Sequence, residues 1–429
     1  MAQQIPPADE PAPGRPGSED EGKNIYRQAG NLLPYPYFSH EERERRWRLT
    51  REAMARANVD CLVVPNNTGH STHFQADARY LTHVGGGGDA DVAAIFPFEG
   101  EPAAVATSAT RWLRTQPWCT DLREAGRSYG AGALGKLREL RFPNKRIGVV
   151  GLRDYVRAPE GTAGYGFMKM LMDEMRDVEW IDFTHEMEEI RIVKSAEEIA
   201  FLEKSMEIVN AAYDSAVSVL RPGVKDYYVW GTAIETICRM GSEIPVHQHW
   251  IGDHRPEQTL TRPTFREVEE GWLFLSEIEA AWGGYHAQGD QPFACGEPDS
   301  VYRDLMRFEI DVWNETFRHI KSGVAVRELQ ETVAATARRL TPSSGRLAGT
   351  KSSITMHGRG LGSDAPIITG PGTRTTDLDR IVAPGWCFVY KPSARVGEYH
   401  INWGDTVAVT SDGARRLGKA PQEIMVARW

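Results

Sequence analysis

Cysteine is scarce: five residues among 429 (Cys61, Cys119, Cys238, Cys295 and Cys387), none in a Cys-x-x-Cys pair. An odd, scattered count excludes a zinc-finger spacing and a disulfide framework, so a reducing, cytoplasmic setting is expected. Long apolar runs are missing too. Nothing reaches the roughly 18 residues of a membrane span, so no membrane partner is expected. The opening MAQQIPPADEPAPGRPGSEDEGKN has neither the basic flank nor the apolar centre of a secretory signal. Its Pro, Gly and acid content makes residues 1–24 a flexible segment in expectation. Positive charge is in deficit, with 50 Lys and Arg against 59 Asp and Glu and a net charge of −9. That balance argues against a nucleic-acid partner. A P-loop, a dinucleotide fingerprint and a Gly-x-Ser-x-Gly elbow are absent from any strand-to-helix setting. Internal repeats are not evident.

What is present suits a large core: 41% of residues are hydrophobic and 25% charged. Ser39 followed by Glu41 and Glu42 reads as a helix start. Cys61–Pro65, Ala93–Phe98 with Pro102–Thr107, and Arg146–Gly151 read as strands alternating with helices. The expected division is a small α/β domain over 25–185 and an α+β domain over 186–429. The second begins at a capping box, Ser195 with Glu198, heading the helical spacing of Ile199, Leu202, Met206, Val209 and Tyr213. Pro222-Gly223 ends that helix. Further helices are predicted near 227–240, 301–317 and 326–340. Leu273–Trp282, Gly284–Phe293, Trp386–Pro392, Glu398–Trp403 and Asp405–Leu417 read as strands of one antiparallel sheet under those helices.

Five motifs in this order resemble the pita-bread superfamily, which includes creatinase, aminopeptidase P, prolidase and methionine aminopeptidase, together with a lyase acting on dimethylsulfoniopropionate. They are Arg191-Ile192-Val193-Lys194-Ser195 with Glu198, Pro222-Gly223, His357-Gly358-Arg359-Gly360-Leu361-Gly362 with Pro366, Gly385 to Pro392, and Asp405-Thr406-Val407 with Asp412-Gly413. The resemblance runs from about residue 40 to the C-terminus. It implies a creatinase-like N-terminal domain followed by a pita-bread catalytic domain, a curved antiparallel sheet covered by helices. Metal-dependent relatives hold two divalent ions with two Asp, one His and two Glu. At the matching positions this chain has Glu277, Gln288, His357, Lys391 and Gly404. An ammonium at 391 repels a cation. The resemblance therefore implies loss of the dimetal site, with no cofactor expected and one divalent ion on Glu277, Glu279, Asp290 and His357 left open.

Period-two alternation on the strands adds neighbours on the same face. Glu279, His286, Gln288, Asp290, His400 and Asn402 are expected to converge with Glu277, His357 and Lys391. Carboxylates packed against lysine and histidine perturb one another's pKa values, as acid–base groups require. Creatinase, which lacks the metal, places a substrate-binding glutamate five residues after a tyrosine, and Asp290 has that offset from Tyr285. Its catalytic histidine has no match near Leu260–Pro263, and His247, His249 and His254 lie just upstream. The expected activity is a metal-independent hydrolase of a small non-peptide substrate, cleaving a C–N bond. His357 would be the acid/base, Glu277 and Asp290 would orient water, and Lys391 would stabilise an oxyanion. A proton-abstracting lyase and a non-catalytic binding descendant are the alternatives. Glu279, His286, Gln288, His400, Asn402 and His254 are expected to bind substrate, and Trp282 and Trp403 to wall the pocket. The glycine-rich loop 83–91 is expected near the other subunit's site in a homodimer, as in relatives.

Overall fold

A computed structural model describes residues 35–66, 76–85, 91–109, 112, 116–154, 158–244, 247–257, 262–362, 364–368 and 375–429. The expected flexible start, and residues 86–90 of the loop expected at a subunit contact, lie outside these.

The N-terminal part is a six-stranded mixed sheet with helices on its faces. Its elements are α1 (His40–Ala57), β1 (Cys61–Val64), α2 (Ala76–Thr82), β2 (Val92–Pro97), β3 (Ala103–Ala106), β4 (Asp121–Glu124), α3 (Tyr129–Leu137), β5 (Arg146–Val149), α4 (Tyr165–Glu174) and β6 (Glu179–Asp182). The strand order is β4-β3-β2-β1-β5-β6. Strands β1 and β2 read CLVV and VAAIFP and are buried at every position. Such unbroken apolar runs are what a sheet covered on both faces requires. As the sequence predicts, Ser39 caps α1, its hydroxyl accepting from the Glu42 N–H at 3.1 Å.

Helix α5 (Thr184–Ile192) leads to the second part: α6 (Ala196–Val219), α7 (Asp226–Arg239), β7 (His249–Asp253), β8 (Leu273–Trp282), β9 (Tyr285–Asp290), β10 (Phe293–Cys295), α8 (Ser300–Phe317), α9 (Val326–Leu340), β11 (Lys351–Gly358), β12 (Ile367–Ile368), α10 (Thr375–Leu378), β13 (Cys387–Val396), β14 (Tyr399–Asn402), β15 (Asp405–Val409), β16 (Ala414–Arg416) and β17 (Met425–Ala427). Two sheets result, β17-β10-β8-β7 with β9 on β8, and β12-β11-β13-β15-β16 with β14 on β13. A reciprocal backbone pair, Asp290 and Gly404 at 2.9 Å in each direction, joins them into one curved surface. Helix α6 packs on β8 and β9, and α8 on β13 and β14. The predicted capping box is present: Ser195 Oγ accepts from Glu198 N–H, and Glu198 Oε2 accepts from Ser195 N–H at 2.8 Å.

These two sheets rest on a backbone frame that occurs twice, against the expectation of no repeat. Gly223 donates to Val268, Val268 to Val224, and Asp226 to Arg266, at 2.9, 2.8 and 3.0 Å. Gly323 donates to Val382, Val382 to Val324, and Val326 to Arg380, at the same three distances. Both glycines have positive φ, 82° and 90°, which is why a glycine stands at each turn. Side-chain identity between the copies is low, so the repeat is written in hydrogen bonds rather than letters.

Buried ion pairs tie the parts together. Arg191 reaches Asp77 on α2 at 2.7 Å and Asp364 at 2.5 Å, and Lys194 reaches Asp364 at 2.5 Å. These contacts anchor the turn that follows β11. Among the described residues no helix is long and apolar enough to cross a membrane.

Candidate active site

Antiparallel strands of both sheets set the floor of the concave face. On β8 and β9, Glu277 stands opposite Asp290 and Glu279 opposite Gln288. On β7, His249 stands opposite Glu277. On β13, Lys391 pairs with Thr355 of β11, two residues before His357. Alternation sends these side chains to one face, and the contacts agree. Lys391 Nζ lies 2.7 Å from Glu277 Oε1 and 3.5 Å from Asp290 Oδ2. Gln288 Nε2 donates to Glu277 Oε2 at 2.8 Å and to Asp290 Oδ1 at 3.0 Å. Asn402 Nδ2 donates to Asp290 Oδ2 at 3.1 Å. His247 Nε2 lies 3.0 Å from Glu277 Oε2.

The electrostatics follow from this packing. Burial alone would raise the Glu277 carboxyl; the Lys391 ammonium and His247 overcome it and hold the group well below the carboxylate range. Burial pushes Asp290 up to about 6, with Lys391 opposing and Glu277 adding to the rise. Two carboxylates thus share one ammonium and are pushed apart, one ionised and one poised near neutrality.

The other predicted residues fall into three groups. Glu279 and His286 form a second, fully buried cluster, Oε1 to Nδ1 at 2.9 Å, with Arg359 Nη1 on Oε2 at 2.5 Å. Burial would raise Glu279, but His286 and Arg359 hold it far below the usual range. Sequence reasoning missed Arg359; its place two residues after His357 was the available signal. His357 and His400 are buried on the same side of the second sheet. Burial and Arg395 lower His400 to about 4. Three residues lie elsewhere. His254 is exposed and paired with Glu269 at 3.1 Å. Trp403 packs edge-on against Trp313, its Nε1 donating to Gln291 and Pro421, because residue 403 alternates to the side covered by α8. Trp282 lies at the end of β8, beside Gly241 and Lys204. These three are corrections to the predicted substrate contacts.

The metal question divides into two. The five positions that match the two-ion site do not fit it. Lys391 puts an ammonium there, and Gly404 offers no side chain and packs its backbone against Lys391. The four-residue set of Glu277, Glu279, Asp290 and His357 does not assemble either, since Glu279 is committed to Arg359 and His286. A different group does assemble. His247, His249 and Glu277 bring ligand atoms within 4.8 Å of one another.

Comparison with known proteins gives the class. Residues 200–411 match the profile of metallopeptidase family M24. A Xaa-Pro dipeptidase of Pyrococcus furiosus is 23% identical over 271 residues, 62% of this chain and 74% of that protein. The peptidase YqhT of Bacillus subtilis is 22% identical over 382 residues, 88% of this chain and 98% of that protein. The X-Pro aminopeptidase of Thermotoga maritima superposes with a TM-score of 0.71 at 17% identity, covering 89% of this chain and 99% of that one. Residues 200–411 thus form a peptidase family M24 (pita-bread) domain, and the fold expected from the sequence stands. At the level of a hydrolase the predicted activity stands as well. Two expectations are overturned. The non-peptide substrate, and the lyase alternative with it, gives way because these relatives carry the names of peptidases. The absence of a cofactor gives way because the matched family is one of metallopeptidases and His247, His249 and Glu277 form a group able to hold an ion.

Proposed function

We propose that this protein hydrolyses short peptides, opening an amide bond on the concave face of the curved sheet. The carrying observation is the Lys391 ammonium held between Glu277 and Asp290. Amide hydrolysis needs a base for water, positive charge at the developing oxyanion and a proton for the leaving nitrogen. Asp290, raised to about 6 and fixed by Gln288 and Asn402, takes the proton from water. Lys391 faces the oxyanion. His357 supplies the proton to the leaving nitrogen, imidazole being the side chain that titrates nearest neutrality. Glu277 orients Lys391. His247, His249 and Glu277 would hold a divalent ion, which would supply Lewis acidity when bound. The names of the relatives point to dipeptides ending in proline as the first substrates to try.

The test is release of free proline from Ala-Pro and Met-Pro, with Ala-Ala as a control. Asp290→Asn should lower kcat by roughly 10²–10⁴-fold with little change in KM. Absence of turnover across the dipeptides, or full activity in Asp290→Asn, overturns the assignment.

A further inference from the structure

We propose that this chain binds one divalent transition-metal ion per protomer, seated on His247, His249 and Glu277, a set that keeps Glu277 alone of the five positions matching the two-ion site of its relatives. The ion serves the peptide-hydrolase reading above, but its seat follows from this chain's own residues. The register of β7 with β8 sets His249 directly opposite Glu277. His247 lies two residues earlier, and its ring stacks on that of His249 with centroids 4.3 Å apart and planes at 29°. Stacked in this way, the two imidazoles present their edges side by side to the same carboxylate. Two imidazoles and one carboxylate are the donor set of a catalytic zinc site that keeps a position open. Ligand atoms 2.0–2.2 Å from a tetrahedral ion stand about 3.4 Å apart. The three ligand atoms lie within 4.8 Å of one another, so seating an ion draws them together by about 1.4 Å at most. All three residues are partly buried, so the seat is reachable from solvent yet sheltered.

A second observation points to the same place. Gln288 is fully buried and donates its amide N–H to Glu277 Oε2, the oxygen that faces His247. The same amide nitrogen donates to Asp290 Oδ1 at 3.0 Å, so a buried side chain fixes the carboxylate oxygen that completes the seat. On the other side of Glu277 the Lys391 ammonium touches Oε1 and approaches Asp290. A second cation there would meet a fixed positive charge at close range in a low-dielectric pocket. Lys391 thus takes Oε1 and bars an ion from that side, while Oε2 is the oxygen turned toward His247.

The experiment uses the full chain, stripped with chelator and titrated with Co²⁺. One Co²⁺ per chain by elemental analysis, with the visible absorption of low-coordinate Co²⁺, is expected. His247→Gln and His249→Gln should each weaken Co²⁺ binding by roughly 10²-fold or more while circular dichroism stays unchanged, and His357→Gln should leave it within about twofold. Two ions per chain, no ion, or binding that survives both β7-side changes but fails in His357→Gln overturns the seat. One Co²⁺ bound as described without dipeptide turnover removes the peptide reading and leaves the seat standing. Turnover with the ion bound elsewhere does the reverse.

Discussion

Counted back from Gly223 and Gly323, the same step along the chain reaches Val209 in α6 and Glu309 in α8. Both side chains are fully buried. Val209 belongs to the apolar core under the first sheet, whereas neither carboxyl oxygen of Glu309 has a hydrogen-bond partner. The contrast continues on the concave face. The first copy of the frame contributes Glu277, Glu279 and Asp290, and the second contributes His357, Lys391 and His400. All the carboxylates of the site therefore come from the first copy, and its one lysine comes from the second, where it meets Glu277 and Asp290 at the seam. Backbone hydrogen bonds fix where side chains point, while the choice of side chain at those points sets the chemistry.

Breaking the charge match at the seam should have the largest effect. Lys391→Met leaves Glu277 and Asp290 facing each other without their cation, which costs about 3–5 kcal/mol when a buried pair loses one partner. Urea denaturation measures it. Adding Asp290→Asn to Lys391→Met should recover part of the loss, because one of the stranded charges is removed. Additive losses in the double variant would mean that the ammonium and Asp290 do not act as a unit.

The contrast between Val209 and Glu309 gives the next largest effect, with the opposite sign. Glu309→Leu should stabilise the protein by about 1–3 kcal/mol at neutral pH, since it removes an unsatisfied buried group. Burial raises the Glu309 pKa well above its ordinary value of 4.5; the Ser352 hydroxyl nearby opposes this but stands outside hydrogen-bond geometry. A group raised on folding contributes stability that is full below the unfolded pKa and lost as pH rises through the folded one. The gap between variant and wild type should therefore widen as pH rises above the ordinary value of 4.5. A constant gap would place the cost of Glu309 in packing instead.

Much of this comparison was legible in the letters. The helices at 300–317 and 326–340 and the strand 273–282 show the periodicities that apolar burial imposes, and the structure has them nearly at the predicted bounds. Alternation along β8 and β9 also put Glu277, Gln288 and Asp290 on one face. Other features were hidden for physical reasons. The repeat resides in main-chain bonds such as Gly323 to Val382, whose only trace is a pair of turn glycines. His247 and His249 read as loop residues because their role depends on the register of β7 against β8, which is a long-range pairing. Trp403 was misplaced by reading residues near the pocket as facing it, although its neighbour Asn402 takes the inward side. Glu279 was correctly placed on the inner face, but its capture by Arg359 required a turn held by Arg191 and Asp364.

The two turn glycines sharpen the comparison at smaller scale. A Cβ at Gly223 or at Gly323 would meet nothing within 4 Å, so alanine there costs only backbone strain at positive φ. Each substitution should lose about 1 kcal/mol, equal within roughly 0.5 kcal/mol. Thermal unfolding of both variants measures this. A large inequality would break the equivalence of the frames.

The helix starts should show the smallest and most discriminating difference. Ser195 heads α6 with a reciprocal box, and Glu198, its partner, is buried and also accepts the Tyr285 hydroxyl at 2.5 Å. Asp299 heads α8 with one bond to Val301 N–H at 3.0 Å and a second oxygen taken by the Tyr399 hydroxyl at 2.7 Å. Removing Ser195 strands the Glu198 N–H at a partly buried turn and leaves Glu198 to its remaining contacts. Removing Asp299 frees an N–H that water can reach. Ser195→Ala should therefore cost about 1 kcal/mol and Asp299→Ala about 0.5 kcal/mol, with Ser195→Thr restoring most of the first loss. Urea midpoints at constant slope read both. The reverse order would mean that Glu198, held by Tyr285 and Arg45, fixes the start of α6 without the serine.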